Sequence, residues 1–334
     1  MTDLRRSLGG IGKPLVNLVR GRPVMAVFEI CLRCNSRCGY CDLPLNEGRY
    51  EMSRDEIRHV FTELYATGLR YIFVQGGEPT LRKDLPHVLD DLSAIGFGLC
   101  LVTNGTRLSD ELIARLAAAE VSISVSLDTL DRERYRRIRG ADQLLRVQAG
   151  IERLANYPHP RFLTCIVSEQ NRGDAVDVAK FARARGFAPV FGAYHWGKGL
   201  YGKPDDDLKY RNADAIAVFE DLLESDLIPG GYYRRYAEDS IRWLNGKHLG
   251  RCDAGRYSIS IDSSGNVAGC LGHAAAGNLL DSDLPAILGQ MDHDAIKKCS
   301  DASTCNLMCG RAIGSTLRHP QDLVRTPLTV KPAA

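Results

Sequence analysis

No apolar run in the 334-residue chain reaches the roughly 18–20 residues that a membrane-spanning helix needs, so no integral membrane segment is expected. The start of the chain lacks the apolar core of an export signal, which points to the cytoplasm. Excess charge is missing as well. Lys and Arg number 43 against 41 Asp and Glu, a net charge of +2, so nothing electrostatic argues for a nucleic-acid partner. Internal repeats and low-complexity tracts are absent. With 44% hydrophobic and 25% charged residues, disorder over most of the chain is excluded. Cysteine, by contrast, is plentiful. There are 11, an odd number, and a reducing compartment disfavours disulfides, so the excess points to metal.

The cysteines gather at two ends. Cys31, Cys34, Cys38 and Cys41 lie near the start; Cys252, Cys270, Cys299, Cys305 and Cys309 lie near the finish. Between them, short apolar strands alternate with amphipathic helices. Strands are predicted at Val24–Ile30, Tyr71–Gln75, Gly98–Thr103, Val121–Ser126, Arg161–Val167 and Pro189–Ala193. Helices are predicted at Arg54–Ala66, Leu85–Ala94, Asp110–Ala118, Leu144–Leu154 and Arg172–Arg185, the first opened by a Ser53/Glu56 capping box. This order predicts an α/β fold with a parallel sheet and outer helices. Six units are too few for an eight-unit barrel, so a partial (β/α)6 barrel is expected. A long loop follows from Tyr194 to Leu208. Helices at Asp214–Leu223 and Tyr233–Asn245 come next, then a hairpin of Tyr257–Ile261 and Asn266–Cys270. The tail from Thr326 onward reads as frayed.

After the first strand, Cys34, Cys38 and Cys41 are spaced C-x3-C-x2-C, with Tyr40 before the last. Three thiolates on one loop can hold three irons of a [4Fe–4S] cluster and leave the fourth open. A closed zinc site completed by Cys31 is the competing reading. Gly76, Gly77, Glu78 and Pro79 follow the second strand. Thr103, Asn104 and Gly105 close the third, and Ser126, Leu127 and Asp128 the fourth. All stand at carboxyl ends of parallel strands, where such folds place their chemistry. This set resembles the radical S-adenosylmethionine (SAM) superfamily. The resemblance implies that Cys34, Cys38 and Cys41 hold a SAM-binding [4Fe–4S] cluster. It also implies that Tyr40, Gly76, Gly77, Glu78, Pro79, Asn104, Ser126 and Arg139 contact SAM.

The later cysteines read C-x12-G-x4-C through Gly265, then C-x5-C-x3-C. This resembles the C-terminal extension called SPASM, whose full form has seven cysteines and two auxiliary clusters. Ile296 stands where that pattern has a cysteine, and none follows Cys309. The shortened form resembles a Twitch domain with one auxiliary [4Fe–4S] cluster. Cys252, Cys270 and Cys309 would be ligands, with Cys305 or Cys299 the fourth; a zinc knuckle is the alternative. The expected organisation is a lead-in over 1–23, a barrel over 24–210, linking helices over 211–250, the small cysteine-rich domain over 251–320 and a tail over 321–334.

Cys100 and Cys165 read as core residues. Arg132–Arg139 reads as a charged helix face. Tyr194, His195 and Trp196, with Gly197 and Lys198, sit at the mouth of the site and are candidate substrate contacts. No catalytic acid or base is assigned. The resemblance implies a radical enzyme acting on a small polar substrate such as a sugar, nucleoside or aminocyclitol. A flavodoxin or ferredoxin-type electron donor is the expected partner. Peptide maturation and a lipid substrate are the alternatives. Peptide maturases often carry a separate leader-binding domain, whereas 23 residues precede the first strand here. The Leu, Ile and Arg residues of that lead-in suit a helix lying on a surface.

Overall fold

The computed structural model describes residues 12–46, 48–196 and 205–327. Six parallel strands, β1 (Met25–Cys31), β2 (Tyr71–Gly76), β3 (Gly98–Thr103), β4 (Ser122–Ser126), β5 (Arg161–Val167) and β6 (Ala188–Ala193), pair in sequence order. The sheet stays open, as a six-unit partial barrel should. β1 is buried along its whole length, as a central parallel strand with neighbours on both edges must be.

Helices cover one face. Arg54–Thr67 starts with both halves of the Ser53/Glu56 capping box formed and ends at Gly68 in the left-handed conformation. Its Phe61 meets Phe28 of β1 at 4.9 Å between ring centroids. Ala26, Phe28 and Ile30 therefore face the helices. The pleat turns Val27 and Glu29 to the opposite, lumenal face. The expected helix over Arg172–Arg185 is split into a 3-10 turn at Arg172–Asp174 and a helix at Ala175–Ala184.

The other edge of β1 carries the second half of the molecule. β7 (Ser258–Ile261) pairs parallel to β1, with Val27 opposite Ser260. β8 (Asn266–Ala268) and β9 (Gly277–Asn278) follow antiparallel, giving one nine-stranded sheet. The cysteine-bearing C-terminal hairpin is thus hydrogen-bonded into the sheet of the barrel. Four short helices, Leu284–Gly289, His293–Asp301, Ala312–Arg318 and Gln321–Arg325, complete this part and were not anticipated.

At the opposite end of the sheet, residues 12–20 are helical. Asn17 straps them down, its Nδ2 donating to the carbonyls of Pro23 and Thr67 at 3.0 Å each. Residues 1–11 of the lead-in lie outside the described residues. Thr326 is not frayed: its Oγ1 accepts the Tyr232 N–H at 2.7 Å. Residues 328–334 of the tail, and Gly197 and Lys198 of the site loop, lie outside the described residues. No described helix is long and apolar enough to cross a membrane.

Candidate active site

The loop bearing Cys34, Cys38 and Cys41 lies over the carboxyl edge of the sheet, held from three sides. On the first, Gly77 N–H donates to Cys31 O at 2.8 Å and Glu78 N–H to Arg33 O at 2.7 Å. A Cβ on Gly77 would run into the carbonyls of Leu32 and Arg33, so this close approach requires glycine. On the second, Asn104 Nδ2 donates to Asn35 Oδ1 at 2.7 Å, and Asn35 Nδ2 donates to Thr106 Oγ1 at 2.8 Å. On the third, Arg37 N–H donates to Arg139 O at 2.9 Å, and Gln143 Nε2 donates to Asn35 O at 3.0 Å. Asn35, Thr106 and Gln143 carry no motif of their own; only their meeting in space marks them.

Glu78 is buried, and its carboxylate is fully committed within the protein. Thr80 and Thr103 hydroxyls donate to Oε1 at 2.6 Å each, and Asn104 N–H donates to Oε2 at 2.7 Å. Burial still raises its pKa. Glu78 therefore welds the end of β2 to the end of β3, leaving the backbone of Gly76–Pro79 as the part able to meet a ligand.

Arg139 sits at the end of a helix, Arg132–Arg139, whose outer side is charged as expected and whose inner side buries Tyr135, Ile138 and Arg139. The Arg139 guanidinium is paired with Asp128 at 2.6 Å, both buried. Asp128 Oδ1 also accepts the Ile166 N–H at 2.9 Å. Burial opposes the charge on Arg139, but Asp128, Tyr40 and Cys38 outweigh it and hold its pKa well above the usual value. Asp128 stood inside a recognised motif, yet its role as counter-ion was not legible there. Ser126, at the end of β4, has no side-chain partner among the described residues.

The thiols respond to one another. Burial pushes Cys41 up to about 12, and Cys38 and Cys34 push it further in the same direction. Burial likewise raises Cys34. Among the described residues no three His, Cys, Asp or Glu side chains converge tightly enough to chelate one ion. The donors are all sulfur, on one short loop and near a buried guanidinium, a set suited to an iron–sulfur cluster.

Cys31 is fully buried, with its Sγ donating to Glu78 O at 3.4 Å, and burial raises it to about 12. It behaves as a packed thiol, and Cys100 and Cys165 are core residues as expected.

The second set assembles beside β1 and β7. One cavity is lined by Cys252, Cys270, Cys305 and Cys309, together with Val27 and Ser260. Cys299 is outside this lining; its Sγ lies 3.3 Å from Thr304 Oγ1. Arg311 is buried beside the cavity. It donates through Nη1 to Gly250 O at 2.6 Å and through Nη2 to Cys305 O at 3.1 Å. Burial raises Cys309 to about 12 and Cys270 to about 11, with the neighbouring thiols adding to both. Any metal held here must displace thiol protons. Ile296, at the position expected to hold a cysteine, packs against the apolar core.

The aromatic segment after β6 links the two centres. Tyr40 and Tyr194 lie 5.9 Å apart between centroids, as do Tyr194 and Trp196. The Tyr194 hydroxyl accepts the Asp205 N–H at 2.8 Å. His195 turns toward the C-terminal cysteines, its Nε2 accepting the Asn306 N–H at 2.9 Å while its ring lies 4.5 Å from Trp243. Burial lowers His195 to about 4, so it is a neutral acceptor that orients the segment next to Cys305.

Glu29 was missed by sequence reading. Its carboxylate is on the lumenal face of β1, 8% exposed, and takes no hydrogen bond from any described residue. Burial, then Asp262 and Asp42, raise it to about 7. Gln75 is its register partner on β2, and Ser124 and Thr164 share a 2.7 Å hydrogen bond farther along the same face.

Residues 28–182 match the family described as the radical SAM superfamily. A GTP 3′,8-cyclase of Ectopseudomonas mendocina (strain ymp) is 34% identical over 261 residues, 72% of this chain and 77% of the relative. A probable GTP 3′,8-cyclase of Pyrococcus abyssi is 32% identical over 165 residues, 48% of this chain and 54% of the relative. The chain spans about half the length of several such curated relatives. Among solved structures, Streptococcus suis SuiB bound to precursor peptide SuiA aligns with a TM-score of 0.68 at 17% identity, covering 91% of this chain and 76% of that one. AdoMet-bound anSMEcpe aligns at 0.64 with 19% identity, covering 83% and 80%. These two likenesses concern the fold alone. Together with the matched cysteine loop, the relative aligned over most of both chains means that this protein belongs to the radical SAM superfamily of enzymes, which use a [4Fe–4S] cluster and S-adenosylmethionine.

Proposed function

We propose that this enzyme acts on a small, polar, uncharged or cationic molecule bound against the lumenal face of the sheet. Cys34, Cys38 and Cys41 would hold the SAM-binding cluster. The Gly76–Pro79 backbone, Tyr40, Asn104, Ser126 and Arg139 would surround SAM. Cys252, Cys270, Cys305 and Cys309 would hold one auxiliary [4Fe–4S] cluster in a Twitch-like unit built from the region 251–320. When bound, the first cluster and SAM supply a 5′-deoxyadenosyl radical that removes hydrogen from a substrate C–H bond. The chain's own part is to exclude water, fix the substrate and leave donors and acceptors where the substrate needs them.

The observation that carries the substrate class is Glu29. A largely buried carboxylate without a protein donor takes its donors from water or from a ligand that displaces that water. Hydroxyl and ammonium groups of sugars, nucleosides or aminocyclitols supply such donors. Two relatives are named for GTP. A triphosphate needs cations; Arg139 is committed to Asp128, and Glu29, raised to about 7, brings partial negative charge near neutral pH rather than positive charge. The test is anaerobic turnover with dithionite and SAM in the presence of guanosine, GTP, an aminocyclitol or a short peptide. Faster 5′-deoxyadenosine release with the uncharged or cationic small molecules is expected. Stimulation by GTP or the peptide alone would overturn the reading.

A further inference from the structure

Arg311 lines the four-thiol cavity together with Cys252, Cys270, Cys305 and Cys309, and it is only 4% exposed. Two of its three nitrogens are spent on backbone: Nη1 donates to Gly250 O and Nη2 to Cys305 O. The third, Nε, has no hydrogen-bond partner among the described residues. Nor does the guanidinium make an ion pair with a described carboxylate. Asp253 feels its charge, but that carboxylate accepts the N–H groups of Ile313 and Gly314. The chain is held closely here. A Cβ on Gly310, between Cys309 and Arg311, would lie 3.2 Å from Cys252 Sγ. Cys252 and Cys305 both feel the Arg311 charge.

A buried guanidinium without a counter-ion is costly, and carbonyl dipoles do not cancel its charge. The cavity itself can supply the missing anion. Four thiolates outweigh the charge of the iron–sulfur core they hold, so the assembled unit is anionic, and one-electron reduction makes it more so. Its sulfurs also accept hydrogen bonds. An N–H donor and an unneutralised positive charge therefore stabilise the reduced form most, which raises the reduction potential. Val27, Ile259, Leu271 and Leu307 supply apolar wall, which leaves that charge weakly screened. The first centre is different, because the Arg139 charge beside it is met by Asp128.

We propose that Arg311 is a positioning residue for the auxiliary cluster, its Nε–H and unneutralised charge raising the reduction potential of that cluster. The inference rests on the auxiliary-cluster reading above and adds the group that sets the redox poise there.

The test is an anaerobic EPR redox titration of reconstituted full-length enzyme. Added SAM marks the SAM-binding cluster by altering its signal. Arg311→Gln removes the charge and keeps a side-chain donor, whereas Arg311→Lys keeps the charge. At the wild-type midpoint of the auxiliary cluster, the ratio of reduced to oxidised cluster should fall about tenfold in Arg311→Gln, about 59 mV for one electron. In Arg311→Lys the ratio should stay within about threefold of wild type. The SAM-binding cluster should titrate as in wild type in both variants. Thermal unfolding checks that each variant is folded. An unmoved auxiliary potential in Arg311→Gln overturns the inference. So does an equal fall in Arg311→Lys, which would trace the effect to the lost carbonyl contacts. If Arg311→Gln folds without holding auxiliary iron, loading of Arg311→Lys supports the charge and failure of both overturns it. A wild-type iron content of about four, all in the SAM-responsive cluster, defeats the auxiliary-cluster reading itself. About eight irons with no shift in potential defeat the role of Arg311 alone.

Discussion

The two cysteine centres are built in opposite ways. The first draws its three thiols from eight consecutive residues, Cys34 to Cys41, and the rest of the barrel supplies hydrogen bonds that pin the loop. The second draws four thiols from a span that begins at Cys252 and ends at Cys309, brought together by β7 on the edge of β1. There the holding groups come from afar. Ser300 Oγ accepts the Cys252 N–H at 2.8 Å, Arg311 grips the Cys305 carbonyl, and His195 orients Asn306. A local loop carries its ligand set in its spacing. A dispersed set depends on packing for its membership, and one cysteine can be left over.

The contrast is broken most severely at the local centre. Changing Cys34, Cys38 and Cys41 together to Ala should abolish 5′-deoxyadenosine release. Iron should fall from about eight to about four atoms per chain, one cluster's worth. Iron analysis and turnover with dithionite check this; an unchanged iron content would put the cluster elsewhere.

Next is the buried pair that closes that centre from below. Asp128→Ala leaves the Arg139 charge buried without its partner, which should cost about 3–5 kcal/mol in urea unfolding. The result sharpens the comparison, because Arg311 beside the second centre is buried without an ion pair among the described residues, with Asp253 near enough only to feel its charge. A cost under about 1 kcal/mol would mean that the Arg139 charge is solvated by other groups.

Glu29, between the two centres on β1, gives a pH signature. Its pKa in the folded protein is raised to about 7 from 4.5. Below 4.5 both folded and unfolded states are protonated and there is no penalty. As pH rises from 4.5 through 7, the unfolded chain releases the proton more readily, so stability falls and then levels off. The shift corresponds to about 3 kcal/mol. Glu29→Gln should therefore be more stable than wild type by up to that amount at pH 8, and the gain should vanish near pH 4. Parallel stability curves for the two proteins would show that Glu29 has a partner.

The smallest effect is expected at Cys299, which lies outside the cavity lining although Cys252, Cys270 and Cys305 feel its charge. Cys299→Ala should leave iron content and the auxiliary cluster spectrum unchanged, while Cys305→Ala should lower or distort both. Equal losses would erase the distinction between lining and non-lining cysteines.

Several features were legible in the order of residues because short-range rules govern them. The six barrel strands follow from apolar runs bounded by turn residues, and the Ser53/Glu56 box marks its helix start. The three-cysteine loop is specified by spacing. Spacing leaves Cys299 and Cys305 as alternatives for a fourth auxiliary ligand; of the two, Cys305 lines the cavity with Cys309. The C-terminal helices were not legible, since they are short and carry little periodic signal.

What the amino-acid sequence determined by itself was local: strand and helix order, the first thiol set and the motifs at three strand ends. Tertiary structure decided which groups those motifs spend within the protein and which they leave for a ligand. Glu78 is consumed by Thr80, Thr103 and Asn104, Arg139 by Asp128, and His195 by Asn306. Glu29, unremarkable in its strand, emerges as a carboxylate without a donor. The physical reason is that a buried polar group's role is set by whether another chain segment satisfies it, and those segments lie tens to more than a hundred residues away.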